Sequence, residues 1–336
     1  MQKDFILQLN TLLATPKKCV IFPHKNPDGD ALGSTLALAH FLSKQKHQCH
    51  VISPNEYPKF LHWLPGQEEI LCYNQSETLC QKYINEADVF FTLDFNALSR
   101  IAPIDQLLTP HESAIVMIDH HQSPENYAHL QYSDPRIGST CEMVYNVLVA
   151  LDVNGIDKTI AECLYTGIMT DTGSFQYSST SAKTHEVVAN LLHHGIDHVK
   201  IHQAIYDSYS FDRLQLLGTA LNNLTQVEQL KAVYTHLSQH ELNTFHFKKG
   251  DTEGFVNYGL RLSGIKLSVI LIENSQEEII KLSFRSKGAF DVNAFARKHF
   301  NGGGHKNAAG GVSTLSLEET REKLHRLIVE YQDQLQ

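Results

Sequence analysis

No CxxC pair occurs among the six cysteines Cys19, Cys49, Cys72, Cys80, Cys141 and Cys163. Scattered thiols of this kind suit a reducing compartment and argue against both a disulfide framework and a zinc knuckle. No GxSxG elbow is present, so no seryl nucleophile of that type is on offer. No apolar run approaches the length needed to span a bilayer, and MQKDFILQLNTLLATPKK lacks the cleavage site of a signal peptide. A soluble, cytoplasmic protein without membrane attachment is expected. Positive charge is also short, with 28 Lys and Arg against 37 Asp and Glu and a formal net charge of -9. That balance disfavours tracking of long duplex nucleic acid, which wants a continuous basic surface. A small anionic substrate held at a few local cations stays open.

What is there points to two domains, since 336 residues exceed one ordinary core. The first reads as α/β. A helix is expected over residues 5–13, then short buried strands at Cys19–Phe22, Cys49–Ser53, Ala87–Leu93 and Ala114–Asp119. Helices follow at residues 31–42, 140–151, 160–169, 180–194 and 198–206. In a parallel sheet the carboxyl ends of the strands are where ligands bind. Those ends carry His24, Asp28 and Asp30 in PHKNPDGDALG, Asp94 after the third strand, and Asp119-His120-His121 after the fourth.

The first motif is the most telling. Gly29 lets the turn tighten and brings Asp28 and Asp30 together, a repulsive pairing that a divalent cation would relieve. A helix cap with an acidic first turn accounts for Asp30 but for neither His24 nor Asp28. Asp171, at the end of an apolar helix, opposes the helix dipole and also wants a cation nearby. Arg136 either reaches an anion or pairs with an acid.

Residues 208–224 read as a largely helical connector, with no Gly/Ser-rich linker, so the two domains are expected at a restricted angle. Beyond it, strands at 230–237, 267–272 and 279–284 and a helix at 317–334 make a smaller α+β domain. From Lys281 to Lys306 it holds six Lys or Arg against one Asp. Gly302-Gly303-Gly304-His305 reads there as a loop whose backbone N–H groups approach an anion, with Arg285 as a forked donor.

The ordered set HxxxDxD, strand-end Asp, DHH, later Asp and GGGH resembles the DHH phosphoesterase superfamily with its DHH-associated C-terminal domain. Within it the chain is most similar to the branch of NrnA-type oligoribonucleases (nanoRNases), also called pAp phosphatases. The resemblance implies a catalytic domain over 1–207 with a two-metal site, a connector over 208–226 and a substrate domain over 227–336. It places the active site in the interdomain cleft. It further implies two Mn²⁺ ions, one on His24, Asp28 and Asp94, the other on Asp30, Asp94, His120 and Asp171. His121 would face the phosphate, and Asp119 would orient the histidines. Arg285, Ser286 and Gly302, Gly303, Gly304 and His305 would clamp the terminal phosphate or sugar, with Arg136 assigned to the substrate as well. Mixed imidazole and carboxylate donors suit Mn²⁺ better than Ca²⁺ or Mg²⁺.

The implied substrates are short RNA oligonucleotides, 3'-phosphoadenosine 5'-phosphate (pAp) or dinucleotides, and a homodimer is left open. Two alternatives carry different expectations. One is a cyclic- or linear-dinucleotide phosphodiesterase of the same superfamily. The other is a nucleotide-sensing module without catalysis, which would bind its ligand and leave it intact.

Overall fold

The structure, a computed structural model, describes residues 3–108, 112–207, 209–227 and 230–335. The chain forms two compact units, Met1–Ser208 and Tyr209–Gln336. Ser208, the expected start of the connector, lies outside the described residues.

In the first unit the elements run α1 (Lys3–Leu12), β1 (Lys18–Phe22), α2 (Gly29–Lys44), β2 (Gln48–Ser53), β3 (Leu71–Cys72), α3 (Glu77–Glu86) and β4 (Val89–Leu93). They continue with α4 (Asp105–Leu108), β5 (Ala114–Asp119), β6 (Leu130–Ser133), α5 (Thr140–Leu151), α6 (Lys158–Asp171), α7 (Ala182–His193) and α8 (His198–Tyr206). The six strands pair in parallel in the order β3-β2-β1-β4-β5-β6. This is a three-layer α/β domain. Successive residues of a strand face opposite layers, so Cys19 and Ile21 of β1 join one core while Val20 and Phe22 join the other. The first core packs α1, α2 and α5–α8, and the second packs α3 and α4. Strands buried on both sides read as continuous apolar runs, which is why the four central ones were visible in sequence. The edge strands β3 and β6 are short or half-buried and carried no such signal.

The strand order reverses between β1 and β4, and a doubly wound sheet binds ligands outside such a switch point. His24 follows β1 and Asp94 follows β4, so both stand at that crevice.

Helix α2, which positions Asp30, lies against α6 through small residues. A Cβ on Gly33 would sit 2.5 Å from the Cys163 carbonyl oxygen, and one on Gly167 would collide with Cys141 Sγ and lie 2.8 Å from Asp30 Oδ1. Gly167→Ala is therefore expected to lose about 2–3 kcal/mol of stability through overpacking and to displace Asp30. Chemical denaturation measures the first effect, and a weakened divalent-metal affinity would report the second.

The second unit contains α9 (Phe211–Asn222), β7 (Thr225–Gln226), β8 (Ala232–Leu237), α10 (Gln239–Thr244), β9 (Leu267–Asn274) and β10 (Ile279–Ser286). After these come α11 (Val292–His299), β11 (Gly303–His305), β12 (Ala308–Ser313), α12 (Leu317–Glu330) and α13 (Gln332–Leu335). The sheet order is β11-β12-β10-β9-β8-β7, with β8 and β9 parallel and the other pairs antiparallel. Helix α9, expected as a connector, is built into this unit: Leu216 and Ala220 share a core with Leu237, Leu242 and Ile270.

The glycine run departs from its reading as a loop. Gly303–His305 is strand β11, paired with β12. A Cβ on Gly302 would collide with the Gly310 carbonyl oxygen, and one on Gly304, at φ +146°, would lie 2.5 Å from the Ala308 carbonyl oxygen. These glycines permit two backbones to approach. The N–H groups of Gly302 and Gly304 are spent internally, donating to the Ala296 carbonyl at 3.2 Å and to Asn293 Oδ1 at 3.0 Å.

Candidate active site

The turn after β1 works as the sequence suggests, with one exchange of roles. Asp28, not Asp30, caps α2: its Oδ1 accepts from the N–H groups of Asp30 and Ala31 at 3.0 and 3.1 Å. Its other oxygen lies 3.9 Å from His24 Nε2. Asp30, in the first turn of the helix, is buried, and both its oxygens accept backbone N–H groups at the start of α5. Thr140 donates to Oδ2 at 2.6 Å and Cys141 to Oδ1 at 2.8 Å.

Asp94 leaves β4 with φ +68°, a left-handed conformation that costs a non-glycine residue energy and clusters at functional sites. The carboxylate is buried and divides its two oxygens. Oδ2 lies 3.6 Å from His24 Nε2, while Oδ1 lies 3.4 Å from His120 Nε2 and accepts the Thr140 hydroxyl at 2.9 Å. Around His120 Nε2 stand Asp94 Oδ1, Asp171 Oδ2 at 3.4 Å and Asp30 Oδ2 at 3.8 Å. The other ring nitrogen of His120 is 3.1 Å from the Ile137 carbonyl, which makes it an N–H donor and turns the lone pair of Nε2 toward the carboxylates.

Among the donor groups that the described residues form, two are His24 with Asp28 and Asp94, and Asp30 with His120 and Asp171, each with its ligand atoms within 4.8 Å of one another; His121 with Asp94 and Asp119 is a further one. Separations of 3.4–3.9 Å between donors are longer than those of well-formed hydrogen bonds. They suit donors that share an ion at bond lengths of about 2.0–2.2 Å, whose mutual distances run from roughly 3 to 4 Å. The donor set and its spacing therefore fit divalent metal ions. Asp94, with one oxygen toward each group, is placed to bridge them.

Electrostatics point the same way. Burial raises the Asp30 pKa well above the carboxylate range, and the charges of Asp94 and Asp171 add to the effect. Burial likewise lifts Asp171 to about 6. Burial opposes charge on His120, yet its hydrogen bond with Asp94 and the facing carboxylates outweigh that and push its pKa well above the imidazole value. His24 is raised in the same manner by Asp94 and Asp28. Asp94 is held well below the usual range because the hydrogen bonds of His120 and His24 overcome its burial. A cation entering this cluster must expel protons. Divalent-metal affinity is thus expected to fall as pH drops through about 6, and binding at neutral pH to release protons. Calorimetry in buffers of different ionisation enthalpy checks this, and an affinity flat from pH 5 to 8 would contradict it.

Asp119 ends β5 fully buried, with Oδ1 2.7 Å from His121 Nδ1 and Oδ2 without a partner among the described residues. It fixes the His121 ring by accepting the Nδ1–H.

Of the other predicted residues, Arg136 takes the second of its two readings. It is exposed and forks onto Asp134, through Nε at 2.8 Å and Nη2 at 2.7 Å, and belongs to neither His/Asp group. Ser286 is buried; its hydroxyl donates to the Phe290 carbonyl at 2.7 Å and accepts from Asn307 at 2.8 Å, bracing the chain end of β10. Arg285 is half-buried and donates from Nη1 to the Phe284 carbonyl at 3.0 Å, with Nε buried and without a partner among the described residues. Thr140 was missed, although Ser139-Thr140 at a helix start after a strand-end loop was a usable signal.

Residues 18–168 match the DHH family, N-terminal domain, and residues 231–332 match the DHHA1 domain. A solved structure of an exopolyphosphatase-related protein from Bacteroides fragilis is 38% identical, with a TM-score of 0.95 over 99% of this chain and 98% of that one. The chain belongs to the DHH family. Other DHH relatives include the bifunctional oligoribonuclease and PAP phosphatase NrnA of Thermus thermophilus, 29% identical over 95% of this chain and 91% of that protein. The protein of the same name from Bacillus subtilis is 26% identical over 89% of this chain and 90% of its own length. Among the described residues no helix is long and apolar enough to cross a membrane.

Proposed function

We propose that this DHH-family phosphoric ester hydrolase cleaves short RNA oligonucleotides to mononucleotides and removes the 3'-phosphate of pAp to leave AMP. The observation that carries the reading is Asp94, one buried carboxylate with an oxygen toward each of two donor groups. His24, Asp28 and Asp94 would hold one Mn²⁺, and Asp30, Asp94, His120 and Asp171 the other. Bound there, the ions would activate water for attack and stabilise charge on the leaving oxygen.

The residues of the chain do the rest. Asp30 is kept in place by the Thr140 and Cys141 N–H groups, and Asp94 by the Thr140 hydroxyl. His121, oriented by Asp119, would face the phosphate and donate a hydrogen bond to the charge that develops there. Arg285, Gly303 and His305 would bind a phosphate or sugar of the substrate. The two NrnA relatives, similar along most of the chain, support this substrate class.

Incubation of the metal-loaded protein with pAp, followed by chromatography, tests the proposal: AMP and phosphate appear with Mn²⁺ and stop with chelator. Stable binding of pAp without phosphate release would favour a sensing module and refute the reading.

A further inference from the structure

Paired residues in an antiparallel sheet project to the same face. Arg285 pairs with Ala308, which pairs with His305, and Ser283 pairs with Gly310, which pairs with Gly303. Strands β10, β12 and β11 thus turn Arg285, His305, Ser283, Ala308, Gly310 and Gly303 to one side. All six are half-buried, while the alternate β10 residues Leu282, Phe284 and Ser286 are buried on the other side. The shared face has a floor of small residues, with Arg285 at one margin and the edge strand β11 at the other.

A second arginine reaches the same face from outside the sheet. Arg297 stands one turn after Asn293 on α11, and the buried Asn293 carboxamide oxygen accepts both the Gly304 N–H at 3.0 Å and the Arg297 Nε–H at 3.1 Å. A Cβ built on Gly303, which would point to this face, would lie 3.7 Å from Arg297 Nη2. The guanidinium therefore lies against the missing side chain of Gly303, pinned through Nε to Asn293. Among the described residues no carboxylate forms an ion pair with Arg297 or with Arg285, and Arg285 Nε is buried without an acceptor. Two forked cations that lack a carboxylate, above a floor of glycine and alanine, make a receptor for a doubly charged oxyanion beside a flat group.

We propose that Arg297, held by Asn293, determines specificity by binding the non-reacting 5'-phosphate of the substrate. This rests on the phosphoesterase reading above, and it adds a residue that composition and motif did not single out. Helix spacing puts Arg297 among Lys298 and His299 in a basic last turn, where a guanidinium has an ordinary role. Only the Asn293 bridge distinguishes it.

The test compares full-length wild type, Arg297→Gln and Arg297→Lys with two ligands, pAp and 3'-AMP, which lacks the 5'-phosphate. Affinities come from calorimetry without metal, and kcat and KM from phosphate release with Mn²⁺. Wild type should prefer pAp. Arg297→Gln should lose roughly tenfold or more of that preference, seen as a raised KM for pAp with kcat little changed, and Arg297→Lys should recover part of it. Arg297 is exposed, so both variants should melt as wild type does.

Equal losses for the two ligands, no loss for either, or a wild type that does not distinguish them would overturn the inference. A wild type that binds pAp preferentially without releasing phosphate would overturn the function proposed above, while the affinity ratio still decides the role of Arg297.

Discussion

Asp94→Ala is expected to abolish paired metal binding and to lower turnover by on the order of a thousandfold or more. The reasoning is geometric. Asp94 is the residue whose oxygens lie within 3.4 and 3.6 Å of both histidines that anchor the two donor groups. Its removal also strands His24 and His120, whose raised pKa values depend on its hydrogen bonds. Isothermal titration with Mn²⁺ should show two ions per chain in wild type and at most one weakly held ion in the variant. Two tight ions, or wild-type turnover, in Asp94→Ala would refute the bridging role.

His121→Ala is expected to behave in the opposite way, keeping both ions while losing on the order of a hundred- to a thousandfold in kcat. His121 Nδ1 is held by Asp119 at 2.7 Å, and His121 belongs to neither of the two metal groups proposed here. If the ring stabilises charge that develops only in the transition state, KM should change little and kcat should carry the loss. Mn²⁺ titration beside steady-state kinetics separates the two residues. Loss of an ion in His121→Ala would make it a ligand instead.

The contrast between those residues was largely visible in the sequence, because apolar runs that end in His or Asp announce both a buried strand and its functional end. His24, Asp94 and His120 were legible for that reason, and the structure brings them together at the strand-order reversal between β1 and β4. The cap reading, set aside in sequence because it left Asp28 unexplained, does apply to Asp28, since the helix starts at Gly29, two residues earlier than its apolar periodicity. Thr140 and the backbone of α5 could not be tied to Asp30 from spacing, since the contact spans more than a hundred residues.

The glycine run shows a different limit. Glycine serves equally for an anion cradle and for a close approach of two strands, and Gly302 and Gly304 do the second. Ser286 likewise has a hydroxyl suited to a ligand, but Phe290 and Asn307 occupy it. Arg297 went unread because its partner Asn293 lies at ordinary helical spacing, and only the hairpin of β11 and β12 gives that pair a task.

The central claim, that this two-group cluster hydrolyses short RNA, is tested most directly by a time course on end-labelled RNA. Oligomers of two to five nucleotides and a long duplex would be incubated with wild-type protein in Mn²⁺. The account predicts mononucleotides from the short oligomers, an intact duplex, and no product once the metal is chelated. Unchanged short oligomers in the presence of Mn²⁺, or equal degradation of the duplex, would contradict it.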